Sequence, residues 1–166
     1  MGMQMRYVLD AVLIGLGATL LIDLWALFLR RVFRIRSLDY CLLGRWVLHM
    51  PKGRIVHSSI AAAARRPNEC GVGWTMHYLI GTAFALIFVV LASEGWLERP
   101  TLLPALIFGA VTVLVPFLTM QPSFGLGIAA SKTPHPNRAR LKSLMTHSLF
   151  GVGLYLWAGM LSRILF

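Results

Sequence analysis

The sequence predicts an all-α membrane protein, in which four transmembrane helices form a bundle and short interfacial helices lie in the first cytoplasmic loop. Of its 166 residues, 57% are hydrophobic and only 13% are charged, against about 25% charged residues in soluble domains. Four apolar runs have the length of about 20 residues that crosses a bilayer as a helix. They occupy residues 7–29, 74–93, 102–120 and 144–161. The length suits one integral membrane domain over residues 1–166.

The first apolar run, residues 7–29, carries only two charged residues, Asp10 and Asp23. Asp10 lies near the outer end, where water solvates it. A charged Asp23 inside lipid costs a few kcal/mol on insertion scales, so its side chain should face protein, water or a cation. We predict that its nearest polar partner is His77, His147 or an arginine of residues 30–54.

Small residues and a proline mark the other runs. Pro116 lies inside the third run and predicts a kink there, because proline cannot donate a helical hydrogen bond.

A weak internal repeat pairs His77 and Gly81 with His147 and Gly151, four residues apart in both cases. Glycines within spans let helices approach closely. The repeat suggests two similar halves related by an axis along the membrane normal, as in some transporters.

The distribution of basic residues predicts the orientation. Residues 30–73 hold nine Lys or Arg residues and residues 121–143 hold four, whereas the rest of the chain has three. By the positive-inside rule, residues 30–73 and 121–143 are cytoplasmic and both termini are periplasmic. The basic residues lie between apolar spans, so the net charge of +10 indicates anionic lipid headgroups as partners rather than nucleic acid.

The first loop is too long to be a simple connector. Residues 37–50 are rich in leucine and aromatic residues and predict a helix lying at the membrane interface. Residues 58–66 are rich in alanine and stop before Pro67, which predicts a second short helix. Cys41 and Cys70 lie in this loop, 29 residues apart. In the cytoplasm they are expected to be two ordinary reduced thiols.

The predicted topology places several polar residues at one depth near the cytoplasmic face. Asp23 is about two turns from the end of the first helix, and His77 and His147 are each about one turn into theirs. Gln121 ends the third helix. The loop on the same side adds His49, His57 and Arg45, so these seven residues are the candidate binding residues.

Two functional interpretations and one structural interpretation fit this cluster. Aspartate and histidine relay protons or bind a cation at the mouth of a pathway, and they are also transition-metal ligands. Alternatively, Asp23 pairs with an arginine and the histidines cap helices near headgroups. No His-x3-His or Glu-x-x-His spacing occurs, so Asp23, His77 and His147 are only weak metal candidates. No cofactor is predicted.

Residues 121–136 contain glycines followed by Ser131, Lys132 and Thr133. A nucleotide-binding phosphate loop is excluded, because the glycine required before the lysine is Ser131 and no strand precedes it. An ordinary loop that ends a helix is one interpretation. The other is that Lys132, like Arg30 and Arg31, meets an anion such as a lipid phosphate.

Short motifs are spread over nearly the whole chain: Gly17-Ala18-Thr19 with Asp23-Leu24-Trp25, Gly44-Arg45-Trp46, His57 with Ser59-Ile60, Gly73-Trp74 with His77-Tyr78, Pro100-Thr101, Gln121-Pro122 with Gly125, Thr133-Pro134, His147 and Gly151-Val152-Gly153-Leu154-Tyr155. In these motifs the sequence resembles a bacterial family of small membrane proteins catalogued as domain of unknown function 2938. The resemblance implies a bacterial inner-membrane protein with several spanning helices, and it supplies no catalytic residue or ligand.

The functional expectation is transport or permeation of a small solute or ion, with the Asp/His cluster at the cytoplasmic mouth. Four helices enclose little space, so a transporter of this size should form a homo-oligomer. One alternative is a membrane-embedded enzyme that binds a metal or cofactor through the same cluster. The other is a structural or regulatory membrane partner acting through residues 30–73.

Overall fold

The structure, a computed structural model, describes residues 2–35, 37–92 and 95–165. This part of the chain is helical and contains no strand. Arg36, one of the nine basic residues of the first loop, and Ser93, the last residue of the second predicted span, lie outside the described residues. The helices are α1 (Gly2–Val32), α2 (Tyr40–His49), α3 (Glu69–Leu91), α4 (Gly95–Glu98), α5 (Leu102–Thr112), α6 (Gln121–Ser123) and α7 (Pro136–Leu165).

Four of the helical stretches are long and apolar enough to cross a membrane: Met5–Val32, Glu69–Leu91, Leu102–Ser123 and Pro136–Arg163. The predicted fold class is therefore confirmed. The first and last helices extend beyond the apolar runs by about a turn or more. Arg30 and Arg31 lie in the last turn of α1, where positive side chains interact favourably with the negative end of the helix dipole.

The chain divides into two compact units. The first contains residues 1–37, 78–111 and 145–166, and the second contains residues 38–77 and 112–144. The prediction of one integral membrane domain stays a prediction. The core of the first unit is apolar and includes Ile14, Ala18, Ala85, Phe150 and Leu154, each at most 3% exposed. These residues come from α1, α3 and α7.

Glycines bring the helices of the first unit together. A Cβ at Gly15 would lie 2.7 Å from Thr82 Cα on α3, and a Cβ at Gly153 would lie 2.8 Å from Ala18 Cα on α1. The two glycines of the predicted repeat serve the same purpose. Gly81 packs against Thr19 of α1, and Gly151 packs against the backbone at Ala105 of α5. Each therefore contacts the spanning helix that precedes its own.

In the second unit, α2 confirms the helix predicted within residues 37–50. The Asp39 side chain accepts a hydrogen bond from Cys41 N at 2.9 Å, which caps the first turn. The contact between α2 and the start of α3 is unusually close. A Cβ at Gly44 would overlap Glu69 O, and one at Gly73 would overlap Tyr40 O. Only glycine permits this separation of the two backbones.

The helix predicted for residues 58–66 was wrong. The segment consists of turns and irregular backbone. Two of its carbonyl groups accept turn hydrogen bonds from its own amides, Ala62 N to Ser59 O and Ala63 N to Ile60 O. The segment is also held by a side chain of α2, since Arg45 Nη1 donates to the carbonyl oxygens of Ile60, Ala61 and Ala63 at 3.0–3.3 Å. Tertiary hydrogen bonds have overridden the helix propensity of alanine, which is small per residue.

Cys41 and Cys70, expected to be two separate thiols, form a disulfide bond in the structure, so the expectation was wrong for the oxidised protein. Cys41 lies in the first turn of α2 and Cys70 in the first turn of α3. The glycine contact between these helices brings the two sulfurs together. A spacing of 29 residues gives no local signal for such a bond.

The third span is broken, as Pro116 predicts. Helix α5 ends at Thr112, a π-helical turn runs from Pro116 to Met120, and the short helix α6 follows. The chain then turns through Gly125 at φ +85°, where a Cβ would overlap Ser58 O. Backbone hydrogen bonds join His57 N to Ser123 O at 2.9 Å and Ile60 N to Phe124 O at 3.2 Å. The broken span thereby lies beside the first loop.

Candidate functional site

Asp23 of the first unit is held by a tyrosine. Tyr78 OH donates a hydrogen bond to Asp23 Oδ2 at 2.8 Å, which links α1 to α3. Both side chains are partly buried and lie inside candidate spans. This partner is the neighbour of His77, which was one of the predicted partners of Asp23. A phenol supplies a hydrogen-bond donor to a carboxylate without adding a charge.

The other two members of the predicted Asp/His cluster are placed on different units. His147 is a partly buried residue of α7 in the first unit. His77 belongs to the second unit, where its ring stacks on Tyr40 with ring centres 3.9 Å apart. Trp74 packs edge-on against Tyr40 with ring centres 4.7 Å apart. His77 thus contributes to an aromatic group at the start of α3.

Arg45 is the most constrained of the candidate residues. It is 5% exposed and forms a bidentate ion pair with Glu69. Arg45 Nε donates to Oε2 at 2.9 Å and Arg45 Nη2 donates to Oε1 at 2.7 Å. Hydrogen bonding to Glu69 raises the pKa of Arg45 above its ordinary value, although burial opposes this. Since Nη1 lies within hydrogen-bond distance of three carbonyl oxygens, all three nitrogens of the guanidinium group have partners. Arg45 therefore organises the second unit around residues 60–69.

His49 and His57 form a pair beside this ion pair. Their ring centres are 5.1 Å apart and the rings are perpendicular. His49 is 1% exposed, and its Nε2 lies 3.0 Å from Ala64 O. Burial is the main cause that lowers the pKa of His57 below its ordinary value, and the nearby His49 and Arg54 act in the same direction.

Several buried polar atoms of this region have no hydrogen-bond partner among the described residues. They are Nδ1 of His49, both ring nitrogens of His57 and Oε1 of Gln121. Gln121 is 6% exposed and begins α6, directly after the π-helical turn. Buried polar groups normally have partners. This group of unpartnered atoms therefore indicates a site that a ligand or water completes.

The residues proposed for lipid or anion contact are at the surface. Arg30, Arg31 and Lys132 are all exposed. Lys132 N donates to Leu126 O at 2.9 Å and closes the loop that follows α6. Contact of these residues with lipid or another anion stays a prediction.

Two residues of these sites were missed by sequence reasoning. Tyr78 was one of several aromatic residues near a span end, and only the pairing of α1 with α3 distinguishes it. Glu69 lies just before the second apolar run. An acidic residue in the first turn of a helix is typical of a favourable dipole interaction, so nothing local pointed to Arg45, 24 positions earlier.

Comparison with known proteins gives a family and no function. The family described as protein of unknown function (DUF2938) matches residues 12–161. No curated protein and no solved structure matches the sequence. The matched region contains all four candidate spans except their outermost residues, together with both groups of polar residues described above. The chain therefore belongs to the DUF2938 family, as the sequence resemblance implied.

Proposed function

We propose that this protein transports a small solute or ion, or lets it permeate, across the bacterial inner membrane, with Asp23 on its pathway. The observation that carries the proposal is the carboxylate inside a candidate span, held at 2.8 Å by Tyr78. Ionisable residues within spans are rare and usually mark a solute pathway, a proton relay or a counter-ion site. A homo-oligomer would supply the enclosed space that four helices lack.

The broken third span supports the same proposal. The π-helical turn from Pro116 to Met120 ends at Gln121, whose buried Oε1 has no hydrogen-bond partner within the described part of the chain. Transporters often build solute sites at irregular points of spanning helices, because backbone groups freed there must be satisfied by protein, water or solute. Single π-helical turns inside helices frequently occur at functional sites.

Asp23→Asn is expected to reduce flux at least about tenfold while the protein still inserts and folds. The amide keeps the size of the side chain and still accepts a hydrogen bond from Tyr78, but it loses the charge. Flux is measured in proteoliposomes with a pH-sensitive dye for protons, ion-sensitive dyes for metal ions and light scattering for small neutral solutes.

Asp10→Asn is the matched control, because Asp10 lies on the same helix and contacts exposed Arg6 at 4.0 Å. Wild-type flux is expected for this variant. An equal loss of flux in both variants would indicate a general effect of helix charge. Wild-type protein that moves none of the tested solutes faster than empty liposomes would overturn the proposal.

We also propose that residues 30–73 and 121–143 are cytoplasmic and that both termini are periplasmic. The excess of thirteen basic residues over three supports this orientation. The disulfide between Cys41 and Cys70 provides its sharpest test. Disulfides persist in the periplasm, whereas the cytoplasm reduces them, and Cys70 is exposed.

In growing cells, the bond between Cys41 and Cys70 is therefore expected to be open, and air oxidation of purified protein should close it. Cells are quenched with acid, and free thiols are labelled with a maleimide carrying a polymer that retards the protein on a gel. Two labels per chain are expected. A chain that accepts labels only after chemical reduction would place this loop in the periplasm and reverse the orientation.

A further inference from the structure

His49 and His57 can each present the lone pair of a ring nitrogen, as histidine ligands of a metal ion do. His49 Nε2 has two polar neighbours, Ala64 O at 3.0 Å and Arg66 Nε at 3.3 Å. In the tautomer that donates to Ala64 O, the lone pair of His49 is on Nδ1, which is buried. In the other tautomer Arg66 donates to Nε2 and Nδ1 carries the proton, so a metal ion would select the first. Metal-binding histidines usually donate their other ring N–H to a carbonyl or carboxylate in this way.

The spacing of the rings fits one shared ion. For a tetrahedral ion with metal–nitrogen bonds of about 2.0 Å, and ring centres about 1.2 Å beyond the nitrogens, two imidazole centres are about 5.2 Å apart. The observed separation is 5.1 Å. Neither ring nitrogen of His57 has a well-formed hydrogen bond within the described residues, although the Ser123 backbone is close enough to interact with the ring, so at least one nitrogen is available.

The neighbouring segment carries a buried side-chain oxygen that could be a third ligand, after the two histidine nitrogens. His57 N bonds to Ser123 O, two residues after Gln121, and Gln121 Oε1 is buried without a partner in the described structure. The described residues contain no group of three His, Cys, Asp or Glu side chains suited to a metal ion. An amide oxygen therefore takes the place that a carboxylate fills in commoner sites.

We propose that His49, His57 and Gln121 bind a divalent first-row transition-metal ion, with water completing its coordination. Imidazole suits zinc, copper and nickel, and these ions need lone pairs rather than hydrogen-bond donors. The positive charges of Arg54 and Arg66 oppose the ion, whereas Arg45 is neutralised by Glu69. The expected affinity is therefore moderate. The inference concerns binding alone and does not depend on transport.

Cobalt(II) is a suitable probe, because its visible absorption reports ligand geometry. Protein purified in detergent without a histidine tag is treated with a chelator and titrated with cobalt(II), and zinc(II) is then added as competitor. We expect saturation at one ion per chain, a visible band that zinc abolishes, and binding at least about tenfold weaker in His57→Gln, because removal of even a supporting group costs that much.

His135→Gln is the matched control, since His135 is an exposed histidine of the same unit. It should bind as the wild type does. Gln121→Glu adds a carboxylate to the set and should tighten binding. Absence of a saturable band, equal loss in both histidine variants, or unchanged binding in His57→Gln with a wild-type melting temperature would each overturn the proposal. Unchanged affinity in Gln121→Glu would show that Gln121 is not a ligand and would overturn its place in the proposed site.

Discussion

Gly44→Ala is expected to separate α2 from α3 and to prevent the disulfide between Cys41 and Cys70. A Cβ at Gly44 would overlap Glu69 O and lie 2.6 Å from Gly73 N. Both are backbone atoms, so no side-chain rotation relieves the clash and the helices must move apart. Overpacking costs about 1–3 kcal/mol where side chains adjust, and we expect a loss of stability of at least about 3 kcal/mol.

The measurement is thermal unfolding in detergent, followed by tryptophan fluorescence, together with a thiol-labelling gel of the oxidised protein. Gly159→Ala is the control. No described atom lies within 4 Å of a Cβ added at Gly159, and alanine is favoured over glycine inside a helix by about 1 kcal/mol. Its melting temperature should be unchanged or higher. A Gly44→Ala protein with a normal melting temperature and an intact bond would contradict the described packing.

Glu69→Gln is expected to be strongly destabilising. It leaves the buried guanidinium of Arg45 without its counter-charge, and removing one partner of a buried ion pair costs about 3–5 kcal/mol. Segment 60–66 should loosen at the same time, because Arg45 would no longer be held against its carbonyl groups. The melting temperature in detergent should fall by roughly 10 °C.

The control for this change is Glu98→Gln, since Glu98 is exposed and surface charges contribute little. A double variant, Arg45→Met with Glu69→Leu, separates the two roles of Arg45. If the ion pair alone mattered, the double variant would approach wild-type stability, as apolar replacements of buried pairs often do. We expect it to remain destabilised, because three carbonyl groups lose their donor. A Glu69→Gln protein as stable as Glu98→Gln would refute the assigned role.

The features that the sequence by itself determined are those set by local composition. The four spans follow from apolar length, because a helix in lipid must satisfy its own backbone hydrogen bonds. Helix α2 follows from its amphipathic pattern and from the cap at Asp39. The break in the third span follows from Pro116, which removes a backbone donor wherever it lies in a helix.

The features that only the tertiary structure decided are pairings between distant residues. Alanine content favoured a helix at residues 58–66, but the segment is irregular and its carbonyl groups accept hydrogen bonds from Arg45. The disulfide required the approach of α2 and α3 at Gly44. The candidate residues His49, His57 and Gln121 could be named from the sequence. Only the tertiary structure shows which of their polar atoms lack a hydrogen-bond partner. Whether a buried polar group has a partner depends on all of its neighbours in space, and these are distant in sequence.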